Sequence, residues 1–288
     1  MKKPNLFFAA FIVFMLFFTG CKKEKFEVTF HPNGGLGRME TQTFKEGVAQ
    51  ALLANVFTNK GCTFTGWNTN ANGTGMSYKN QELIQVISNM ELFAQWALID
   101  IDGNLYKTVQ IGTQCWMKEN LRTTKYKTGE NIPVIANANE WKYCTSGAMR
   151  LHNDNTESTS KYGALYNRHT VSTGNLCPEG WQVPSKADWD ILANYLGGTD
   201  IAGYKMKTDY SWDNGPSGGN GNGSNESGFS ALPAGNCNEG GNFGGLGMMT
   251  AFWSSTDGHF RTLFNISAEL NGYNLILNTG YSVRCVKE

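Results

Sequence analysis

The chain has 288 residues, enough for one medium and one small domain. Its 24 basic side chains are matched by 24 acidic ones, which leaves no cationic excess to neutralise a phosphate backbone and argues against nucleic acid as a partner. With 34 glycines, 12% aromatic and only 17% charged residues, the composition suits a β-rich, loop-heavy extracytoplasmic protein better than a cytosolic helical enzyme.

Lys2 and Lys3 precede an apolar run from Leu6 to Phe18 that is short for a bilayer span, which is the pattern of a secretory signal over residues 1–20. In the stretch LFFTGCKKEK, Thr19, Gly20 and Cys21 resemble the bacterial lipobox, whose cysteine is lipidated and becomes the first mature residue. Each buried acyl methylene is worth about 0.8 kcal/mol, so an acylated Cys21 would hold the protein on a membrane without a transmembrane helix. The resemblance implies a cell-envelope protein, anchored to the outer membrane and exposed at the surface, with residues 21–25 as a tether. Loss of Lys2 and Lys3 leaves a net charge of about −2.

Phe26, Val28 and Phe30 alternate with polar residues as a strand does, and Pro32 to Gly35 forms a turn. Further strand signals run through Phe64 to Thr69 and Leu92 to Trp96, with a turn at Asn72 to Gly75. VTFHPNGG, FTGWNTNANGTG and LFAQW resemble the Listeria/Bacteroides repeat, the internalin-type B repeat of bacterial surface proteins. That likeness covers residues 26–98 and implies a small β-grasp-like module serving as a spacer or adhesive unit. Trp67 and Trp96 are read as its core, because a domain this small needs their apolar surface.

A second domain is expected over 102–288. Tyr106, Val109 and Ile111, the Gly112–Thr113 turn and Cys115 to Met117 read as a hairpin, and the polar stretch to about Lys161 reads as irregular. Ser185 and Asp188 have the spacing of a helix cap, and Trp189, Leu192 and Leu196 form an apolar stripe that Gly197 and Gly198 end. One short amphipathic helix is predicted. Residues 213–228, rich in glycine and asparagine, read as a permissive loop. Alternation at Phe264, Ile266, Ala268 and Leu270 before Asn271 and Gly272 predicts a closing hairpin, with further strands through Leu275 and Val283.

The blocks IGTQCWMKENLRTTKY, YGALYNRHTV, CPEGWQVPSKADWDIL, GFSALPAG, FWSST and SVRCVK together resemble the Fibrobacter succinogenes major paralogous domain, with departures at Cys115 and Cys237. The resemblance implies an α+β fold of C-type-lectin-like or sulfatase-modifying-factor-like type on an envelope lipoprotein, and it names no reaction. Lectin-like folds commonly join the segment before the helix to the last strand, which implies a Cys177–Cys285 disulfide. Cys115 would pair with Cys144 or Cys237, and Cys62 would be a buried free thiol.

His31, His152, His169 and His259 have no metal-ligand spacing, no G-x-S-x-G elbow accompanies them, and no active cysteine pair can be mapped, so no catalytic residue is assigned. Asp213, Asn214, Asn220, Asn222, Asn225 and Glu226 crowd oxygen donors into one loop, which makes calcium the cofactor to consider, although the EF-hand glutamate is missing. Trp212 and Trp181 are core residues or sugar platforms. The ligand-contacting set is placed at Trp212, Asp213, Asn220, Asn222, Asn225 and Glu226, with Trp253 and Asp257 on a neighbouring edge and the repeat not taking part. The function expected is non-catalytic binding or adhesion to a glycan or surface protein. The alternatives are an extracytoplasmic enzyme and a structural or assembly subunit.

Overall fold

The computed structural model describes residues 25–274 and 278–288. The signal segment, Cys21, most of the tether and the strand expected through Leu275 lie outside the described residues. Among those described, no helix is long and apolar enough to cross a membrane.

The first module contains β1 (Lys25–His31), β2 (Gln42–Lys45), β3 (Gln50–Ala51), β4 (Cys62–Asn68), β5 (Ser77–Tyr78), β6 (Leu83–Ile84) and β7 (Met90–Ile99). Alternation along β1 buries Val28 and Phe30, and these pack with Phe44, Trp67, Leu92 and Trp96 in a core of their own. A bulge between Phe64 and Gly66 brings Phe64 and Trp67 edge-to-face, 4.9 Å between centroids. Both tryptophans of the repeat are core residues, as expected.

The second module continues with β8 (Leu105–Ile111), β9 (Gln114–Met117), α1 (Ala138–Lys142), β10 (Met149–Arg150), α2 (Thr156–Tyr162), β11 (Leu165–Tyr166), α3 (Arg168–Ser172) and β12 (Trp181–Gln182). It closes with α4 (Lys186–Tyr195), α5 (Thr199–Met206), β13 (Ala234–Cys237), β14 (Phe243–Leu246), β15 (Met249–Trp253), β16 (His259–Phe264), β17 (Asn271–Asn274) and β18 (Val286–Lys287). The class is α+β. Strands β14-β13-β15-β16-β17 form a separate five-stranded sheet.

The other large sheet belongs to both modules. Strand β4 lies along one edge of β7 from Phe93 to Leu98, so β1, paired at Met90–Phe93, and β8, paired at Ala97–Ile99, share the opposite edge in succession. Thr108 of β8 also donates to the Trp96 carbonyl of β7 at 3.0 Å. The turn joining β7 to β8 is tied by Asp100, whose carboxylate accepts from the backbone N–H of Asp102 and Asn104, the Asn104 side chain and the Tyr106 hydroxyl. Beyond β8 the sheet runs through β9 and β18 to β12. It must curl, because Lys287 of β18 donates to Asn59, just before β4 at the other end of that strand order.

In the second module the family-like blocks converge on one buried cation. Arg284, 1% exposed, donates from Nε to Asn120 Oδ1 at 2.8 Å, from Nη2 to the Ser230 carbonyl at 3.0 Å and from Nη1 to the Phe229 carbonyl. Its guanidinium carbon lies 4.3 Å from the centre of the Phe229 ring and 5.5 Å from that of Phe252. Those rings join Trp116 and Trp189 of α4 in one aromatic cluster. Cys177 and Cys285 form the disulfide that the family resemblance implies, closing 108 residues of chain, a constraint worth about 4 to 5 kcal/mol in the chain-entropy model.

Three expectations need correction. Among the described residues five α-helices replace the single one predicted; α4 has the capping box of Ser185 and Asp188, but α1, α2 and α3 are short helices capped by Asn137, Asn155 and Asn167 inside the stretch read as polar and irregular or just after it. Asn271 and Gly272 are not the turn of the closing hairpin. They start β17, paired to β16 through Thr262↔Asn271 and Arg261↔Gly272, and the connection is the segment 265–270, where Ile266 is exposed and Leu270 buried. A Cβ on Gly272 would stand 2.8 Å from Arg261, so glycine is there for close approach. Cys115 pairs with neither Cys144 nor Cys237: all three are free, as is Cys62, which is half-buried.

Arg284→Met should destabilise the protein by about 3 kcal/mol in urea unfolding, because the carbonyls of Phe229 and Ser230 and the Asn120 amide oxygen lose their donor. Arg284→Lys should recover little, since one ammonium does not reproduce the planar fork. Near-wild-type stability of either variant would show that the rings alone sustain this core.

Candidate functional site

The loop singled out for its glycines and asparagines is held by a lysine. Lys207, 2% exposed at the end of α5, donates from Nζ to the carbonyls of Gly221, Phe264 and Ser267 at 2.9, 3.0 and 2.9 Å, and lies 5.1 Å from the centre of the Trp212 ring. Burial pushes its ammonium down to about 8, and the three carbonyls use all three of its protons. The glycines permit this packing: a Cβ on Gly223 would stand 2.3 Å from the Tyr204 carbonyl.

The expected ligand residues therefore have structural partners. Asn222 Oδ1 accepts from Trp212 N–H, Asn220 Oδ1 from Asn222 N–H, and Asn225 Oδ1 from Ser230 N–H. The amide oxygens proposed for calcium thus serve the loop's own backbone. No group of three or more His, Cys, Asp or Glu side chains with metal-binding geometry occurs among the described residues. Trp212 is 4% and Trp253 1% exposed, and their indoles donate to the carbonyls of Ala231 and Tyr166. Trp181 is 1% exposed. None of these rings offers a face to a sugar, which corrects that part of the sequence reading.

Asp257 pairs with Arg168 at 3.0 Å, and neighbouring Thr256 accepts from the backbone N–H of Lys186 at the start of α4. That edge lines neither of the two cavities beside the loop. Asp213 receives Gly247 against its carboxylate, and Asn220 and Asn222 line a hollow of about 360 Å³ walled by Tyr204 and Ile266. His152 is buried, stacked on Tyr162 and bonded to the Ala234 carbonyl, and burial lowers its pKa. Burial also pushes the thiols of Cys62, Cys115 and Cys237 up to about 11, 12 and 11, so they hold their protons at neutral pH and are weak nucleophiles.

Glu226, at the far end of the loop, faces a larger cavity. A cleft of about 590 Å³ separates the turn Thr69–Asn72 and the side chains of Glu91 and Phe93 in the first module from Gln110, Tyr195, Lys205 and Glu226 in the second. Glu226 pairs with Lys205 at 3.4 Å, and its backbone carbonyl accepts from Asn72 at 3.3 Å. Lys118 donates to the Asn72 carbonyl at 3.0 Å, so one asparagine ties the repeat to two segments of the second module. The repeat, expected to stand apart from any ligand, forms one wall.

Of the expected ligand residues only Glu226 lines this cleft. Its other groups belong to two modules whose docking no local pattern announces. Tyr195 did leave a trace: it falls off the stripe of Trp189, Leu192 and Leu196, on the outer side of α4 with Ile191, and it is 65% exposed. An aromatic ring, the Lys205–Glu226 pair, a further carboxylate at Glu91 and three carboxamides at Asn70, Asn72 and Gln110 make a surface suited to polyhydroxylated ligands.

Lys207→Met should leave three buried carbonyls without a donor, lowering stability by about 3 kcal/mol and opening residues 213–224 to limited proteolysis. A variant as protease-resistant as the wild type would show that the asparagine bonds alone hold the loop.

No curated protein and no solved structure matches the chain. Residues 26–95 match the Listeria-Bacteroides repeat domain. Residues 109–287, more than half of the chain, match the Fibrobacter succinogenes major domain, and the protein therefore belongs to that family, with the repeat docked in front of its family domain.

Proposed function

We propose that the protein is a lipid-anchored, outer-membrane surface lipoprotein that binds glycan without catalysis, holding it in the cleft between its two modules. The carrying observation is the composition of that cleft: an exposed Tyr195, the partly exposed Phe93, an internally neutralised Lys205–Glu226 pair and carboxamides from both walls. Aromatic faces and amide groups that both donate and accept are the chemistry with which sugars are gripped. The two families support a surface, extracytoplasmic setting. A C-type-lectin-like scaffold for the second module agrees with the disulfide joining the segment before α4 to the residue preceding the final strand, and a β-grasp-like form for the repeat belongs to the same reading. Adhesion is the physiological role this reading favours.

Two measurements test it. Metabolic acyl labelling and fractionation should find the wild type in the outer membrane and a Cys21→Ser variant released and unlabelled; identical partitioning of the two would remove the anchor. The released Cys21→Ser protein, applied to a glycan array, should bind selected glycans, and Tyr195→Ala should weaken that binding about tenfold, the loss of roughly 1.4 kcal/mol expected for one stacking ring. Binding to no glycan, binding unaffected by the Tyr195 change, or binding only to a protein on a target cell would overturn the glycan reading.

A further inference from the structure

On the other side of the Asn72 joint lies a smaller pocket, of about 250 Å³, between β4 of the repeat and β8 and β9 of the family domain. Two ammonium groups, Lys107 and Lys118, line it, and no carboxylate does. Among the described residues neither lysine forms an ion pair within 4 Å. Lys118 is anchored by its bond to the Asn72 carbonyl, while Lys107 is exposed. Glu119, outside the lining, lies close enough for its charge to act on both lysines; burial raises its pKa and lowers that of Lys118. With two ammonium groups on its wall and no carboxylate, the pocket lining is cationic.

The rest of the lining is neutral and specific. The half-buried Tyr78 supplies aromatic carbon above the core residue Trp96, and Gln95 and Ser77 supply an amide and a hydroxyl. The space is kept open by glycine. At the bulge, Gly66 has φ +143° and a Cβ there would stand 2.7 Å from the Tyr78 carbonyl; on the opposite rim, a Cβ on Gly73 would stand 2.8 Å from Gln95 Oε1 and 3.7 Å from Lys118 Nζ. A hollow of this size lies just below the range that encloses drug-sized ligands, so it suits one sugar ring.

We propose that this pocket is a second, independent binding site, for a sugar residue bearing a carboxylate: a uronic acid or an acidic sugar of similar size. The carboxylate would meet Lys118 and Lys107, and the ring would lie against the half-buried Tyr78, with Gln95 and Ser77 in reach of its hydroxyls. Lys118, already ordered by Asn72, loses little freedom on binding, and Lys107 closes from the solvent side. The site does not depend on the cleft reading, because the cleft carries two carboxylates against one lysine and lies across the Asn72 joint.

The test is calorimetric titration of the Cys21→Ser protein with a uronic-acid oligosaccharide, with its neutral hexose counterpart and with a glutamate-rich peptide. The acidic oligosaccharide should bind at least tenfold more tightly than either, and its affinity should fall as salt is raised. Lys107→Ala should cost about tenfold for the acidic oligosaccharide, and Lys107→Glu should abolish its binding. Both should melt as the wild type does, since the exposed Lys107 side chain makes no bond in the fold. Tyr195→Ala, which reports on the cleft, should leave this binding unchanged. Equal binding of acidic and neutral sugars, equal binding of the peptide, or indifference to both Lys107 changes would overturn the proposal.

Discussion

A guanidinium buried among aromatic rings is costly unless acceptors and π faces replace its water, and Arg284 finds three acceptors and two rings in distant parts of the chain. Asn120 comes from the segment after β9, Phe229 and Ser230 from the end of the glycine-rich loop, and Phe252 from β15. No subset of these satisfies the cation, so the segments must be in place together. The disulfide from Cys285, the next residue, then ties the same point to the approach of α4. The second module is in this sense organised around the segment just before its last strand rather than around any one sheet.

That convergence explains why the family blocks were legible and why they name no reaction. The residues that stand out in ENLRTTKY, GFSALPAG, FWSST and SVRCVK are the ones that satisfy or surround Arg284, or, like Trp253 and Tyr166, bond to one another inside the neighbouring core. Alternation and capping were readable for a local reason: β1, β8, β9 and α4 each have an apolar face and a terminus that adjacent residues decide. The three asparagine-capped helices were missed because at five to seven residues they carry too little periodicity to distinguish them from loop. The closing hairpin was misplaced because Asn271 and Gly272 look like a turn; what decides their place is the Arg261 side chain across the ladder, a tertiary fact.

The glycine-rich loop shows the same limit in chemistry. Asparagine carboxamides beside glycine offer donors and acceptors to any partner, and composition alone does not say whether that partner is an ion, a sugar or the chain itself. Here the partner is internal, since a single buried ammonium from α5 collects carbonyls from the loop and from the β16–β17 connection. The segment that composition singles out does border the large cleft at its end, through Glu226, while its asparagine carboxamides are bonded within the loop.

Strand β7 decides how that cleft can behave. Because β1 and β8 share one of its edges and β4 lies along the other, the two modules cannot rotate apart without breaking the ladder at Ala97–Ile99. The Asn72 bonds to Glu226 and Lys118 attach the modules outside that ladder, and the added attachments restrict hinge motion that the ladder alone would allow. A repeat joined by a flexible linker would have to be ordered each time a ligand bridged it to its neighbour. A cleft whose walls share a strand has that ordering built in by folding, so contacts made to both walls contribute more fully to affinity.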